Sequence, residues 1–523
     1  MAVLLFLAAC GAGAGAQPDG QRGLGASRPN IILILCDDLG YSDIGCYGSE
    51  IATPNLDRMA AEGLRFTQFY NCAVCVTTRA ALTTGLYPRR AWGTLRPNMA
   101  TLGEVLRDAG YSTGYTGKWH LGSVKPKRPI DRGWEEYYGL LSGCANFFNP
   151  GKPDPDFYNG GKIRPFAHNE KTITEFPEDY HMTEAFTDHA IQTMTRFAQR
   201  DRPFFIHLCY TAPHFPMHAR ERDIARYRGK YSGGYFQLRE RRHERMRALG
   251  IVDPKWSLSP VDHKTGDFRY GYDITPWEDL KDRRREEERM EVYAAMVDHM
   301  DQNIGRLLAS VDELGIAKDT IIFFLSDNGG CSSWPTEAKE KGFVEYNRGI
   351  PVGDGRGYEF VGKGWGWAQN APFRRHKVWT YEGGIATPMI VRWPGRVKAG
   401  SITRRPGHLV DFMPTLLELA GGEYPSERGG AKVAAMEGES LVPVFRGEKS
   451  GPRGPLFWAL MGNRAVREGD WKLVWGAGDK RWELYDLATD RTETKDLSQA
   501  MPGKVASLAA RWDAWAKKTE VTP

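Results

Sequence analysis

Uninterrupted apolar runs, more than alternating ones, set the rhythm of this chain. Asn30-Ile31-Ile32-Leu33-Ile34-Leu35-Cys36, Pro203-Phe204-Phe205-Ile206-His207-Leu208-Cys209 and Thr320-Ile321-Ile322-Phe323-Phe324-Leu325-Ser326 carry apolar side chains on both faces. That is the pattern of strands covered on two sides in a parallel sheet. The strand-like Tyr111 to Thr116 and a shorter run from Pro388 to Trp393 extend the set, and stretches of helical spacing lie at 54–62, 99–108, 183–199 and 289–314. Such alternation predicts an α/β fold, a large doubly wound, mixed but mostly parallel sheet flanked by helices. The composition shifts at Ser450-Gly451-Pro452-Arg453-Gly454-Pro455; beyond it, short pieces at 463–467, 471–475 and 482–487 and an amphipathic stretch at 503–517 predict a small antiparallel sheet with one helix. The expected division is therefore 1–27, 28–450 and 451–523, with insertions near 220–288 and 329–375 breaking the rhythm of the middle part.

Length and composition narrow the classes. A chain of 523 residues exceeds the size at which one core keeps growing, and 41% hydrophobic with 26% charged residues excludes a disordered chain. A net charge of +5 spread over this length lacks the concentrated stripe that nucleic acid requires. The run Arg283-Arg284-Arg285-Glu286-Glu287-Glu288 neutralises itself and reads as a solvated helix face. The apolar start Met1 to Cys10, followed by small residues with Ala14-Gly15-Ala16, resembles an export signal with a cleavage site, which places the protein in a periplasm or outside the cell. Leu7-Ala8-Ala9-Cys10 also fits a lipoprotein site with a lipid anchor at Cys10. No later run reaches the ~18 apolar residues of a membrane span. Cys36, Cys46, Cys72, Cys75, Cys144, Cys209 and Cys331 remain after the signal; with Cys75 set aside they are even in number, which permits disulfides without identifying any.

Candidate chemistry gathers where strands end. Asp37-Asp38 and Asp327-Asn328 each close an apolar run, at the edge where open α/β sheets place ligands. Together they form an all-oxygen set suited to calcium or magnesium, while each pair alone also fits ordinary turn chemistry. Lys118 and His120 in Gly117-Lys118-Trp119-His120, His214 in Pro213-His214-Phe215-Pro216, and Lys377 follow strand ends too. If extended, Lys118 and His120 point to one side. Two histidines, two lysines and an arginine beside a cation suit an oxyanion ester. Cys75 opens an apolar helical run with Arg79 one turn later, so the thiol position faces unpaired N–H groups and a fixed cation. A small buried cysteine with a surface arginine fits the same residues. Trp334, Tyr346, Tyr358, Trp365 and Trp367 in the second insertion either stack on a sugar or pack the loop.

At this point the residues resemble a family. Cys75-Val76-Thr77-Thr78-Arg79 with Ala80-Ala81-Leu82-Thr83-Thr84-Gly85 is similar to the type I sulfatase signature of the alkaline phosphatase superfamily, in which a cysteine is oxidised to formylglycine. Asp37-Asp38-Leu39-Gly40, Gly117-Lys118-Trp119-His120, Pro213-His214-Phe215-Pro216, Asp327-Asn328-Gly329, Glu382-Gly383-Gly384 and Gly469-Asp470-Trp471-Lys472-Leu473 follow the family order, most like its arylsulfatase A-like bacterial branch. The resemblance implies a sulfate ester hydrolase acting on sulfated carbohydrates, with arylsulfatase activity on small esters, whose Cys75 is converted by a formylglycine-generating enzyme. It implies one Ca2+, with Mg2+ less suited, bound by Asp37, Asp38, Asp327, Asn328 and the converted Cys75. It further implies that Arg79 and Lys118 hold the hydrated aldehyde, that His120 is its base, and that His214 and Lys377 serve the sulfate and the leaving group. One position departs: Thr77 stands where the family most often has proline. Two other readings stay open on sequence alone, a phosphomonoester or phosphonate hydrolase and an unconverted protein that binds sulfated glycans without turnover.

Overall fold

The computed structural model describes residues 28–88, 95–261, 274–332, 337–449 and 451–521, apart from the side chains of 337–340. The expected export segment, the Cys10 anchor and Trp334 lie outside the described residues. Eleven strands form one mixed sheet: β1 (Asn30–Cys36), β2 (Leu64–Tyr70), β3 (Ser112–Gly117), β4 (Glu136–Leu140), β5 (Phe166–His168), β6 (Lys171–Thr172), β7 (Phe204–Cys209), β8 (Thr320–Ser326), β9 (Ala386–Arg392), β10 (Ser401–Thr403) and β11 (Gly407–His408). Their order is β10-β2-β9-β8-β1-β7-β3-β4-β5-β6, with β11 also on β2. The central β8, β1, β7, β3 and β4 run parallel, whereas β9 is antiparallel to both neighbours and β5 and β6 close one edge as a hairpin.

The unbroken apolar runs explain this core. On β1, Ile32, Ile34 and Cys36 pack under the long helices Met182–Ala198 and Arg283–Glu313, while Ile31, Leu33 and Leu35 pack on the opposite side with Leu102–Asp108 and Phe412–Ala420. Full burial of each such side chain contributes roughly 1.5–3 kcal/mol. The charge run at 283–288 is the first turn and a half of the helix Arg283–Glu313; its outer arginines are solvated, but Arg289 next to it turns inward onto Glu359 at 2.7 Å.

A two-residue hairpin, β12 (Glu427–Arg428) and β13 (Ala431–Lys432), precedes the second sheet. That sheet is an antiparallel meander of β14 (Leu456–Leu460), β15 (Asn463–Glu468), β16 (Trp471–Trp475) and β17 (Trp482–Asp486), covered by the helix Pro502–Thr519. Its core of Val466, Leu473, Leu484, Leu508 and Trp512 also takes in Cys72 and Ala81, so the segment around Cys75 is clamped between the two sheets. Among the described residues no disulfide forms, and every cysteine is a buried thiol. No helix among them is long and apolar enough to cross a membrane.

Candidate active site

Four neighbouring parallel strands deliver the sequence-predicted residues to one edge. Cys36 pairs with Ser326 in register, which sets Asp37 beside Asp327, and the Asp327 N–H donates to the Cys36 carbonyl at 3.1 Å. At the end of β3, Gly117 adopts φ +108, and a Cβ there would fall 1.8 Å from the Cys209 carbonyl oxygen. Only glycine lets β3 and β7 approach this closely, and the reward is a 2.8 Å bond from the Lys118 N–H to that carbonyl. The loop after β7 carries His214. Lys377 is brought in by its own N–H donating to the Gly330 carbonyl, and the next residue, Val378, donates to Ala73 beside the Cys75 helix at 2.7 Å.

Cys75 is the first residue of the helix Cys75–Thr84, with extended Val74 as its cap, and its Sγ lies 3.5 Å from His120 Nδ1. Asp38, Ala73, His120 and Val378 all adopt left-handed φ between 62° and 84°. For non-glycine residues, and above all for β-branched Val378, this stores local strain of roughly 1–3 kcal/mol each. The same turn corrects one expectation: the segment is not extended at His120, so Lys118 plunges to Asp37 while His120 turns toward Cys75.

The charges are buried and interlocked. Lys118 Nζ contacts Asp37 Oδ2, Lys377 Nζ lies 2.6 Å from Asp38 Oδ1, and Arg79 donates to Asp327 Oδ2 at 2.8 and 3.0 Å and to the Lys118 carbonyl at 2.6 Å. Asn328 Nδ2 donates to Asp38 Oδ1 at 2.7 Å. His214 Nδ1 lies 2.6 Å from the Phe215 carbonyl, which assigns the proton to Nδ1 and leaves Nε2 facing Asp38 Oδ2 at 3.5 Å. Burial opposes ionisation of Asp37, yet Lys118, His214, Arg79 and Lys377 together hold its carboxyl below the usual range. Asp327 goes the other way, pushed up to about 7 by burial and by the charge of Asp37. Burial, then Lys118 and Arg79, drives His120 well below the ordinary imidazole value, which leaves it neutral and able to accept a proton.

This donor set fits a hard divalent cation. Ligand atoms of Asp37, Asp38 and His214, and of Asp37, Cys75 and Asp327, lie within 4.8 Å of one another. The buried Asp37 Oδ1 and Asn328 Oδ1 have no hydrogen-bond partner among the described residues. Buried oxygens of this kind are costly unless something else satisfies them. A cation between Asp37 and Asp327 would also reverse the repulsion that raises Asp327.

Sequence reasoning found these residues but not what braces them. Asp43 Oδ2 accepts from the Gly40 N–H at 2.8 Å and from Tyr293 at 2.7 Å, and Arg242 joins Asp43 to Glu50. No local signal links positions 43, 242 and 293. Tyr358, Trp365 and Trp367 resolve to packing: all three are buried, with Trp365 against Tyr231, Tyr235 and Trp277. They present no face for a sugar.

Comparison with known proteins agrees with this geometry. Residues 29–422 match the Sulfatase family model. The chain belongs to the sulfatase family. It is thus a type I sulfatase of the alkaline phosphatase superfamily and a sulfuric ester hydrolase. Residues 373–511 match a second model, N-sulphoglucosamine sulphohydrolase, C-terminal. An uncharacterized sulfatase of Schizosaccharomyces pombe is 32% identical over 95% of this chain and 95% of its own. An arylsulfatase of Klebsiella aerogenes is 31% identical over 80% of this chain and 92% of its own. Among solved structures, Ps i-CgsB in complex with k-i-k-neocarrahexaose has a TM-score of 0.68 at 26% identity and covers 94% of this chain and 93% of its own.

Proposed function

We propose that this sulfatase hydrolyses sulfate esters of carbohydrates from a formylglycine made at Cys75, with residues 28–450 carrying the site and 451–523 bracing it. The observation that carries this reading is the convergence of three carboxylates, three buried cations and two histidines around Cys75 at one sheet edge, with Asp37 Oδ1 and Asn328 Oδ1 left unpartnered. Asp37, Asp38, Asp327 and Asn328 would hold Ca2+ together with the side chain of residue 75. Mg2+ fits less well, because it demands a small octahedral shell and keeps several waters. The bound cation would supply charge stabilisation, and a hydroxyl of the hydrated aldehyde would be the nucleophile.

The remaining roles belong to this chain's own groups. Three carboxylates and three cations of the site cancel formally, so a divalent ion turns the pocket net positive, the field that a sulfate monoester needs. Lys118 and Arg79 anchor residue 75 and its neighbouring carboxylates. His120, with Nδ1 at 3.5 Å from Sγ, takes a proton from the side chain of residue 75. His214, its Nδ1 proton held by the Phe215 carbonyl, turns Nε2 toward Asp38 and, once it has taken up a second proton there, would pass that proton to the leaving alcohol and return to the neutral form. Lys377 stabilises charge on the sulfuryl oxygens. A plain thiol would serve poorly here, since burial raises Cys75 and leaves it protonated despite Lys118 and Lys377.

Conversion precedes folding in this reading, because a modifying enzyme cannot grip an extended segment that the fold has wound into a buried helix. In place of the proline more common in the family, Thr77 is buried in that first turn and donates to the Cys72 and Val74 carbonyls at 3.0 and 2.9 Å. The hydroxyl thus secures the helix entrance locally. Carbohydrate substrates are supported by the sulphoglucosamine name of the C-terminal family model and by the neocarrahexaose complex of the similar structure. The apolar leader supports export. The test is release of sulfate against phosphate from matched aryl monoesters by calcium-loaded enzyme: sulfate release with little phosphate release is expected, and the reverse preference would overturn the assignment.

A further inference from the structure

Outside the candidate active site, a second group of ligand-bearing side chains converges near the hairpin edge of the large sheet. Glu136 opens β4, His168 ends β5, and His189 sits in the middle of the helix Met182–Ala198. Both imidazoles aim Nε2 at one carboxylate oxygen: Glu136 Oε1 lies 2.8 Å from His168 Nε2 and 3.3 Å from His189 Nε2. The three ligand atoms all lie within 4.8 Å of one another. We propose that Glu136, His168 and His189 form a binding site for Zn2+, separate from the catalytic cation, that ties the edge hairpin and the covering helix to β4.

The geometry and the donor chemistry both support this. Bonds of about 2.0–2.1 Å to a tetrahedral zinc space its ligands roughly 3.3 Å apart, close to the separations already present. Two nitrogens and one oxygen select a late first-row ion over calcium, the opposite of the all-oxygen set at the strand ends. His189 is oriented from behind: its Nδ1 lies 2.8 Å from Thr116 Oγ1, the kind of outer hydrogen bond that fixes which nitrogen meets a metal. Its ring stacks on Tyr138 at 5.1 Å, and His168 meets the same ring edge-on at 5.8 Å. The hairpin that carries His168 is locked by Asn169, which takes φ +53, accepts from the Tyr137 N–H through Oδ1 at 2.7 Å and donates its own N–H to the Tyr137 carbonyl at 2.8 Å.

The surrounding charges leave room for one cation. Arg196 approaches Glu136 Oε2 at 3.2 Å from solvent, which leaves Oε1 as a monodentate ligand, and Asp188 is drawn off toward Arg306. His168 is 47% exposed, so an ion has a path in and a fourth position stays open to water.

The test uses the full-length, calcium-saturated protein after removal of transition metals, titrated with Zn2+ by calorimetry and followed by thermal unfolding. One equivalent of zinc bound with a rise in Tm is expected. His168→Phe, which keeps the ring against Tyr138, and Glu136→Gln should each lose that equivalent or weaken it at least about 10-fold while sulfate release stays unchanged. Absence of stoichiometric binding, or the same binding in both variants, would overturn the proposal, the second outcome placing the zinc on other residues. Because sulfate release is read alongside, failure of this site leaves the sulfatase reading standing.

Discussion

The candidate site and a second buried charge cluster make an instructive pair. At the strand ends, Asp37, Asp38 and Asp327 face Arg79, Lys118 and Lys377; beneath the small sheet, Glu382 and Glu493 face Lys472 and Arg491. Both clusters are buried and formally balanced, and in each one carboxylate lies low while its neighbour is pushed up to about 7. They differ in completeness. Glu382 Oε1 accepts from Lys472 at 2.9 Å, and Oε2 accepts from Arg491 at 2.8 Å and Tyr70 at 3.0 Å. Glu493 Oε2 accepts from the Glu382 N–H at 2.7 Å, and Glu493 Oε1, although it and Arg491 Nη2 make no hydrogen bond among the described residues, still lies 2.7 Å from Lys472 Nζ. Each carboxylate oxygen of the pair thus meets a donor or a cation of the protein itself. At the strand ends Asp37 Oδ1 and Asn328 Oδ1 find no partner among the described residues, and the histidines His120 and His214 stand alongside. Beneath the small sheet every carboxylate oxygen faces a cation or donor of the protein, whereas at the strand ends acceptor oxygens are left over for a ligand.

Substitutions can break this contrast in order of expected effect. Cys75→Ala should lower kcat for sulfate release by about 10⁴-fold or more, with the fold retained by circular dichroism, as loss of a nucleophile does elsewhere. Removal of divalent ions by a chelator should abolish turnover, with Ca2+ restoring it better than Mg2+; it should also lower Tm, since a ligand at 100 times its Kd stabilises by about 2.7 kcal/mol. Lys377→Ala should cost about 10²–10³ in kcat, read from initial rates, with a smaller loss in Tm. Lys472→Met should reverse that balance, destabilising by about 3–5 kcal/mol in urea titration because Glu382 and Glu493 lose their shared cation, while kcat per folded molecule is kept. If Lys377→Ala proved the more destabilising and Lys472→Met the more inactivating, the contrast would be wrong.

The smallest effect is a pH dependence. Lys472 and Arg491 overcome the burial penalty and hold Glu382 down to about 2, below its unfolded value of 4.5. A depressed carboxylate stabilises fully above the unfolded pKa, and that contribution is lost as pH falls from about 4.5 through about 2. Because the raised Glu493 changes stability in the opposite sense over the same range, the measurement is the difference between wild type and Glu382→Gln in urea titrations, which should narrow from neutral pH to near pH 3.

Much of this was legible in the chain because the informative signals were local. The apolar runs at Ile31–Cys36, Phe204–Cys209 and Thr320–Ser326 announced the buried strands, and the polar residues directly after them fell on one edge once the strands lay parallel. The antiparallel direction of β9 was not legible, since Pro388 to Trp393 reads alike both ways. Strands of two or three residues such as β6, β10 and β11 are set by their neighbours, not by their own pattern. The aromatic insertion carried equal signals for stacking and packing, and at Trp365 only the surrounding Tyr231, Tyr235 and Trp277 decided for packing. The turn at His120 and the Asp43-Arg242-Tyr293 brace depend on contacts across up to 250 residues, which periodicity does not encode.

The central claim rests on residue 75. Mass spectrometry of the peptide spanning Cys75, taken from active enzyme made in its natural host, tests it most directly. An aldehyde at that position, in an amount that tracks sulfate release, is the expected result; a quantitatively free thiol in protein that still hydrolyses sulfate esters would contradict the account.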